Sequence, residues 1–211
     1  MEFDRLIREL EGSMARTLPG QDAQYKMVPA NRPRFPLDET IMKQSKRAAV
    51  AALFFPDEDR QSKLILIQRN TYEGVHSGQI GFPGGRLEPE DRGPMDAAAR
   101  ETEEELGIDR GLIDWKGALT PVYIPPSNFF VEPFVGVIPT PNGYRPDPRE
   151  VQEVIEMPLE RIQDQEVLRD VELDIRGTMI KVPAFVIDNR IIWGATAMMI
   201  SELLHLFHSG K

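Results

Sequence analysis

The chain has 211 residues, 41% of them apolar and 28% charged, the balance of a soluble globular protein long enough to bury a sizeable core. A net charge of −9 argues against a general nucleic-acid binder, which needs a basic footprint. The absence of cysteine excludes disulfides, thiolate zinc sites and a cysteine nucleophile. A phosphate substrate stays open, because a bound cation inverts the local field.

The opening residues MEFDRLIREL lack a signal-peptide core, and the apolar runs fall well short of the ~20 residues of a membrane helix, so a cytoplasmic protein is expected. Phe3, Leu6, Ile7, Leu10 and Met14 recur at helical spacing and predict an amphipathic helix over 3–17 that docks on the rest of the chain. Residues 19–36 carry Pro19, Gly20, Pro29, Pro33 and Pro36, which suits an extended arm. The division expected is an N-terminal helix and arm over 1–44 packed on a main domain over 45–211. RAAVAALFF (47–55) and KLILIQR (63–69) predict two buried strands joined by a hairpin-like turn. A polar loop and a short strand at 80–82 then lead into a glycine loop.

Residues 81–108, GFPGGRLEPEDRGPMDAAARETEEELGI, organise everything else. Pro94 suits a first helical position and Gly107 the left-handed residue past a last turn. Side chains between them separate by about 100° each. Met95, Ala98, Ala99, Thr102 and Leu106 then share a packing face, and Glu101, Glu104 and Glu105 share another. Three like charges on one face repel, and a hard divalent cation with oxygen ligands removes that penalty. The plainer alternative is a solvated acidic helix with Arg100 pairing Asp96 and Glu104 at i±4.

Strands follow at 115–124 and 131–138, a proline-rich loop at 139–149, a strand at 151–157 and a short helix from Pro158 to about Gln163. A hairpin over 169–187 turns near Gly177, and a closing helix runs over 195–207. Strands, a central helix, more strands and a closing helix predict an α/β fold, with a mixed sheet between helical layers.

The central stretch resembles the Nudix box, G-x5-E-x7-R-E-U-x-E-E-x-G-U with U bulky and apolar. Arg100, Glu101, Glu104, Glu105, Gly107 and Ile108 match its second half. The first half departs: Asp91 stands where Glu is usual, eight residues rather than seven separate it from Arg100, and Thr102 replaces a larger apolar residue. The resemblance implies the Nudix fold, an α/β/α sandwich in which the box is a loop–helix–loop. It also implies Mg2+ or Mn2+ held by Glu101, Glu104 and Glu105, and attack of water on a diphosphate joined to some other group.

The residues before the box narrow the resemblance. Arg69, His76, Gly78, Phe82, Pro83, Gly84 and Gly85 stand as in the coenzyme A pyrophosphatase branch of Nudix hydrolases, and that branch also resembles this chain in the altered box spacing. LTPVYIPPSNFFVEPFVGVI and Ile192-Trp193-Gly194-Ala195-Thr196-Ala197 resemble its later segments. The implied reaction splits coenzyme A into 4′-phosphopantetheine and adenosine 3′,5′-bisphosphate. The expected partner is then this small molecule, with no nucleic acid or membrane, and a homodimer is an admissible assembly. A Nudix hydrolase for another diphosphate, such as ADP-ribose or reduced NAD, and a non-catalytic nucleotide-binding module are the alternatives.

Gly84 and Gly85 allow backbone to approach an ion or phosphate closely, which makes Gly85 a candidate metal ligand and Gly84 a candidate substrate contact. Arg69 is a candidate phosphate contact, against a structural ion pair to a box glutamate. His76 either meets substrate or caps its loop. Glu150 and Glu153 lie where some relatives supply a further acid, and Asp91 and Glu150 are the weaker site candidates. Tyr72, Tyr123 and Phe129 are candidate stacking residues, Lys43, Lys46 and Arg47 a small basic cluster, Arg32 and Arg34 further loop cations, and His205 a packing residue.

Overall fold

The computed structural model describes residues 1–29, 32–70, 78–175 and 177–208, with His208 described by its backbone alone. In chain order come α1 (Phe3–Met14), α2 (Gly20–Gln24), α3 (Glu39–Gln44), β1 (Lys46–Pro56), β2 (Ser62–Arg69), β3 (Ile80–Gly81) and β4 (Gly84–Arg86). Then follow α4 (Pro94–Leu106), β5 (Asp114–Ala118), β6 (Val122–Ile124), β7 (Phe129–Val137), β8 (Val151–Pro158) and α5 (Leu159–Gln163). A hairpin of β9 (Leu168–Ile175) and β10 (Thr178–Ile187), the short β11 (Arg190–Ile192) and α6 (Gly194–His208) close the chain.

β1 is the axis of an eight-stranded mixed sheet ordered β3-β2-β1-β7-β5, with β4 on β1, β6 on β7 and β8 on β2. It runs parallel to β7 from the Lys46–Phe129 pair to the Phe54–Val137 pair. Its first half pairs antiparallel with β4 and its last residues with β2, as the predicted hairpin requires. A second sheet has three strands, β11-β10-β9.

From Ala48 onward both faces of β1 are covered, so that part of its sequence is apolar rather than alternating. Ala49, Ala51, Leu53 and Phe55 pack with Ala97, Ala98, Ala99 and Leu106 of α4. Ala52 and Phe54 share the opposite core with Phe3, Leu6 and Leu10 of α1 and Met198, Leu203 and Phe207 of α6. The result is an α/β/α sandwich, with α4 on one face and α1 and α6 on the other.

Three local expectations need correction. The segment 19–36 is not wholly extended: Gly20–Gln24 is helical and Tyr25–Met27 a 3-10 turn. The reason is tertiary. Glu202 of α6, fully buried, accepts hydrogen bonds from Gly20 N–H at 3.1 Å and Gln24 Nε2 at 2.8 Å. Met95 is exposed, because it lies in the first turn of α4. Glu105, expected on the polar face, is 1% exposed and belongs to the packed side of the helix.

Candidate active site

α4 starts at Pro94, which has no N–H to leave unpaired, and ends at Gly107 in the left-handed region at φ 70°, whose N–H donates to Glu103 O. Three successive buried alanines bring the helix backbone close to the sheet. Thr102 fits among them because its hydroxyl donates to Ala98 O at 2.7 Å, leaving no unpaired polar atom. One turn apart on the same side, Glu101 and Glu105 look onto the glycine loop.

Glu105 is the buried acid of the site. Its Oε2 accepts the Gly84 N–H at 2.8 Å, and its Oε1 lies 3.2 Å from Arg69 Nη1 without a well-directed hydrogen bond. Arg69 Nη2 donates to Gly84 O at 2.5 Å, so one arginine ties together loop and carboxylate. Burial pushes the Glu105 carboxyl up to about 7; Arg69 and the Gly84 amide pull the other way, and Glu101 and Glu150 add to the rise.

Glu101 lies directly over Gly85. A Cβ on Gly85 would run into the Glu101 carboxylate, and one on Gly84 into Ala49 O and Val50 Cα of β1. Both positions therefore need glycine, the first for the site and the second for the sheet. Burial raises the Glu101 pKa, with Arg100 opposing. Arg100 Nη1 donates to Glu101 Oε1 at 2.9 Å and to Glu104 Oε2 at 3.1 Å. The rest of its fork holds Asp91: Nε to Oδ1 at 2.9 Å and Nη2 to Oδ2 at 3.1 Å. Arg100 thus takes Asp91, Glu101 and Glu104, whereas Asp96 is held by Arg92 Nη2 at 2.6 Å. Of the two pairs in the plainer alternative, Arg100–Glu104 forms and Arg100–Asp96 does not.

Asp91 sits in a position different from the carboxylate trio described next. Its side chain is only 4% exposed, it accepts the Glu88 N–H at 2.8 Å, and the Arg100 hydrogen bond holds its carboxyl below the usual range. The structure gives it the work of orienting Arg100.

Glu150 arrives from the loop before β8. Its backbone is anchored by the Asn70 N–H on Glu150 O at 2.9 Å, and Asp147 N–H bonds Glu105 O at 3.1 Å. Carboxylate oxygens of Glu101, Glu105 and Glu150 come within 4.8 Å of one another. The open cleft around them, about 310 Å³, is lined by Glu101, Glu104, Glu105, Asp147, Arg149 and Glu150. Glu104 faces the cleft with a side chain 58% exposed, outside the tight trio. Asp147 and Arg149 were not singled out by sequence; the only local signal was their place beside Glu150 in PDPRE.

The donor set fits a hard divalent cation. Three carboxylates converge, two are pushed toward protonation by burial, and Glu105 Oε1 accepts no hydrogen bond. Glu101, Glu105 and Glu150 would hold such an ion, with Glu104 at the rim.

Most of the other candidates are engaged elsewhere. Lys43 pairs with Glu39, Arg47 with Glu132, Arg34 with Asp22 and Glu153 with Arg190. Lys46 stands over the Phe129 ring, and Tyr123 donates to Asn128. Arg32 donates to Tyr123 O at 3.3 Å. His205 bonds Lys26 and Ser201 O on α6. His76 and Tyr72 lie outside the described residues.

Fold and site define the class first: an α/β/α sandwich whose loop–helix–loop gathers carboxylates into an open cleft. The chain belongs to the Nudix family, since the NUDIX domain matches residues 45–174. It is 34% identical over 160 residues to "Nudix hydrolase 15, mitochondrial" of Arabidopsis thaliana, covering 72% of this chain and 55% of that protein. Over 154 residues it is 35% identical to the Escherichia coli protein named "Uncharacterized Nudix hydrolase NudL", covering 72% and 80%. The chain spans about half the length of the plant relatives it matches. A solved Nudix hydrolase of M. smegmatis, RenU, shares the fold at a TM-score of 0.55 and 15% identity, over 88% of this chain and 95% of that one. Among the described residues no helix is long and apolar enough to cross a membrane.

Proposed function

We propose that the cleft hydrolyses the diphosphate of coenzyme A, or of a close derivative, to 4′-phosphopantetheine and adenosine 3′,5′-bisphosphate. The observation that carries the hydrolysis is the convergence of Glu101, Glu105 and Glu150 within 4.8 Å beneath an open cleft. Coenzyme A itself is supported by the run from Arg69 through the Phe82-Pro83-Gly84-Gly85 loop.

A Mg2+ or Mn2+ ion held by Glu101, Glu105 and Glu150 would supply Lewis-acid polarisation of the diphosphate and a more acidic water. The chain's own groups do the rest. Water's oxygen bonds to one phosphorus, the P–O–P bridge breaks, and the bridge oxygen leaves with its electron pair on the other phosphate. A carboxylate of the trio receives the water's proton. Gly84 and Gly85, lacking side chains, let backbone and substrate phosphate come close, and the Gly85 backbone would be a further ligand for the ion. Arg69 holds Glu105 in place and Arg100 holds Glu101, so the carboxylates are oriented before substrate arrives.

The test offers purified protein, with Mg2+ or Mn2+, coenzyme A, ADP-ribose, reduced NAD and a nucleoside triphosphate in parallel, with products read by mass. Preferential release of the two named products supports the proposal. Turnover of ADP-ribose or NAD instead keeps the carboxylate site and discards coenzyme A. Ligand binding with no turnover of any would favour a nucleotide-binding module.

A further inference from the structure

We propose that Arg149 is the chain's own phosphate clamp at the mouth of the cleft, held in reserve by Asp147 and transferred to the substrate diphosphate on binding. This rests on the diphosphatase reading of the site.

The cleft lining sets five carboxylates against one guanidinium. Even with divalent cations bound, a diphosphate leaves non-bridging oxygens that need donors, and the carboxylates offer none. Among the described residues, Arg69, Arg100 and Arg149 stand at the site, and their commitments differ. Arg100 is 14% exposed and locked on Asp91, Glu101 and Glu104. Arg69 is 24% exposed and locked on Glu105 and Gly84 O. Arg149 is 85% exposed, and among the described residues its guanidinium pairs with Asp147: Nη2 donates to Asp147 Oδ2 at 2.6 Å and Nε to Oδ1 at 3.1 Å.

The backbone under Arg149 is fastened. Asp147 N–H bonds Glu105 O, Val151 N–H bonds Asp147 O at 2.9 Å, and Asn70 Nδ2 donates to Pro148 O at 2.6 Å. Asp147 Oδ1 also accepts the Arg149 N–H at 2.8 Å. The Cα is thereby fixed to the glutamate helix while the guanidinium swings on a long side chain. The Arg149 end of the pair is exposed while Asp147 is 19% exposed, so the guanidinium can leave into solvent and Asp147 keeps the Arg149 N–H on Oδ1. A phosphate presents the same two-oxygen edge as the Asp147 carboxylate and carries more charge, so the fork that now grips Asp147 suits a diphosphate oxygen pair.

The experiment measures binding of α,β-methylene-ADP, a non-hydrolysable nucleoside diphosphate, by calorimetry in Ca2+, beside coenzyme A kinetics in Mg2+. Arg149→Gln is expected to weaken the analogue and raise KM by about tenfold each, with Ca2+ affinity and thermal midpoint unchanged. Arg149→Lys, which keeps the charge and loses the fork, should fall between. Asp147→Asn, which loosens the hold, should bind the analogue at least as tightly as the parent chain. Unchanged analogue affinity in Arg149→Gln overturns the inference while leaving the hydrolase intact. So does an equal loss of affinity in Asp147→Asn, which would make the pair a structural clip. A parent chain that neither binds the analogue nor turns over any diphosphate removes the site's reading and this inference with it.

Discussion

The Gly84 amide donates to Glu105 Oε2 at 2.8 Å, which fastens the glycine loop to the glutamate helix without any ligand. The other oxygen of the same carboxylate faces Arg69 and the cleft. One side chain thus both builds the site and offers it a ligand atom. Glu105→Gln keeps an acceptor for Gly84 and removes the charge. The fold is expected to survive, and turnover should fall by more than the roughly 10–100-fold that loss of an outer partner costs a metal site. Glu101→Gln should behave alike, and Glu104→Gln should cost less, since Glu104 stands at the rim. Steady-state rates in Mg2+ beside circular dichroism check this; near-parental rates in the first two would end the ligand assignment.

The Glu105 carboxyl also sets a pH dependence. Its folded pKa, about 7, lies above the ordinary 4.5 because burial penalises the charge. A raised carboxylate pKa favours the folded state at low pH; that advantage is lost as pH climbs from about 4.5 through 7. The cation-free protein should therefore lose stability from this group over that interval, and Mg2+ should restore it by neutralising the carboxylate. Melting curves from pH 5 to 8, in chelator and in Mg2+, are expected to diverge as pH rises. In Glu105→Gln the chelator curve should lose this component of its slope.

These two residues also show where sequence is informative. α4, its two ends and its glutamates were legible because Pro94, Gly107 and the i, i+4 spacing act locally. So were β1, β2 and β7, whose apolar runs need no partner to be recognised. Glu105 read as one more polar-face acid because its burial depends on Arg69 and Gly84, which arrive from other strands. Glu150 was a weak candidate for the same reason: its carboxylate reaches Glu101 only through the fastening of residues 147–151 to α4 and β2. The helical turns at 20–27 were hidden by proline and glycine, and they are held by Glu202, nearly the whole chain away.

Asp91 stands where the box usually has Glu, and the structure gives it a partner rather than an ion. Its hydrogen bonds from Arg100 hold its carboxyl below 3.8. A depressed carboxylate pKa contributes stability above the unfolded value, lost as pH falls through the folded one. Asp91→Asn should cost about 1–3 kcal/mol at pH 7, the scale of a charged hydrogen bond removed from a largely covered site. The gap to the parent should narrow below pH 3.8, where the parent's own carboxyl protonates. Turnover should also drop, because Arg100 loses the anchor from which it orients Glu101. Urea unfolding of both proteins at pH 7 and in acid measures the first effect; equal stability at pH 7 would mean that Arg100 is held without Asp91.

The two loop glycines should fail differently. In Gly84→Ala the new methyl meets Ala49 O and Val50 Cα, backbone atoms of the central strand, at φ 145°, where a side chain is strained. Neither obstacle can turn aside, so a loss of roughly 2–5 kcal/mol in stability is expected. In Gly85→Ala the methyl meets the end of the Glu101 side chain, which can rotate away. Stability should then stay close to the parent, while Mn2+ affinity and turnover fall because Glu101 has left the trio. Chemical denaturation alongside calorimetric Mn2+ titration separates the two. Equal loss of stability in both variants would show that Gly85, too, serves the sheet, and that Glu101 does not need its space.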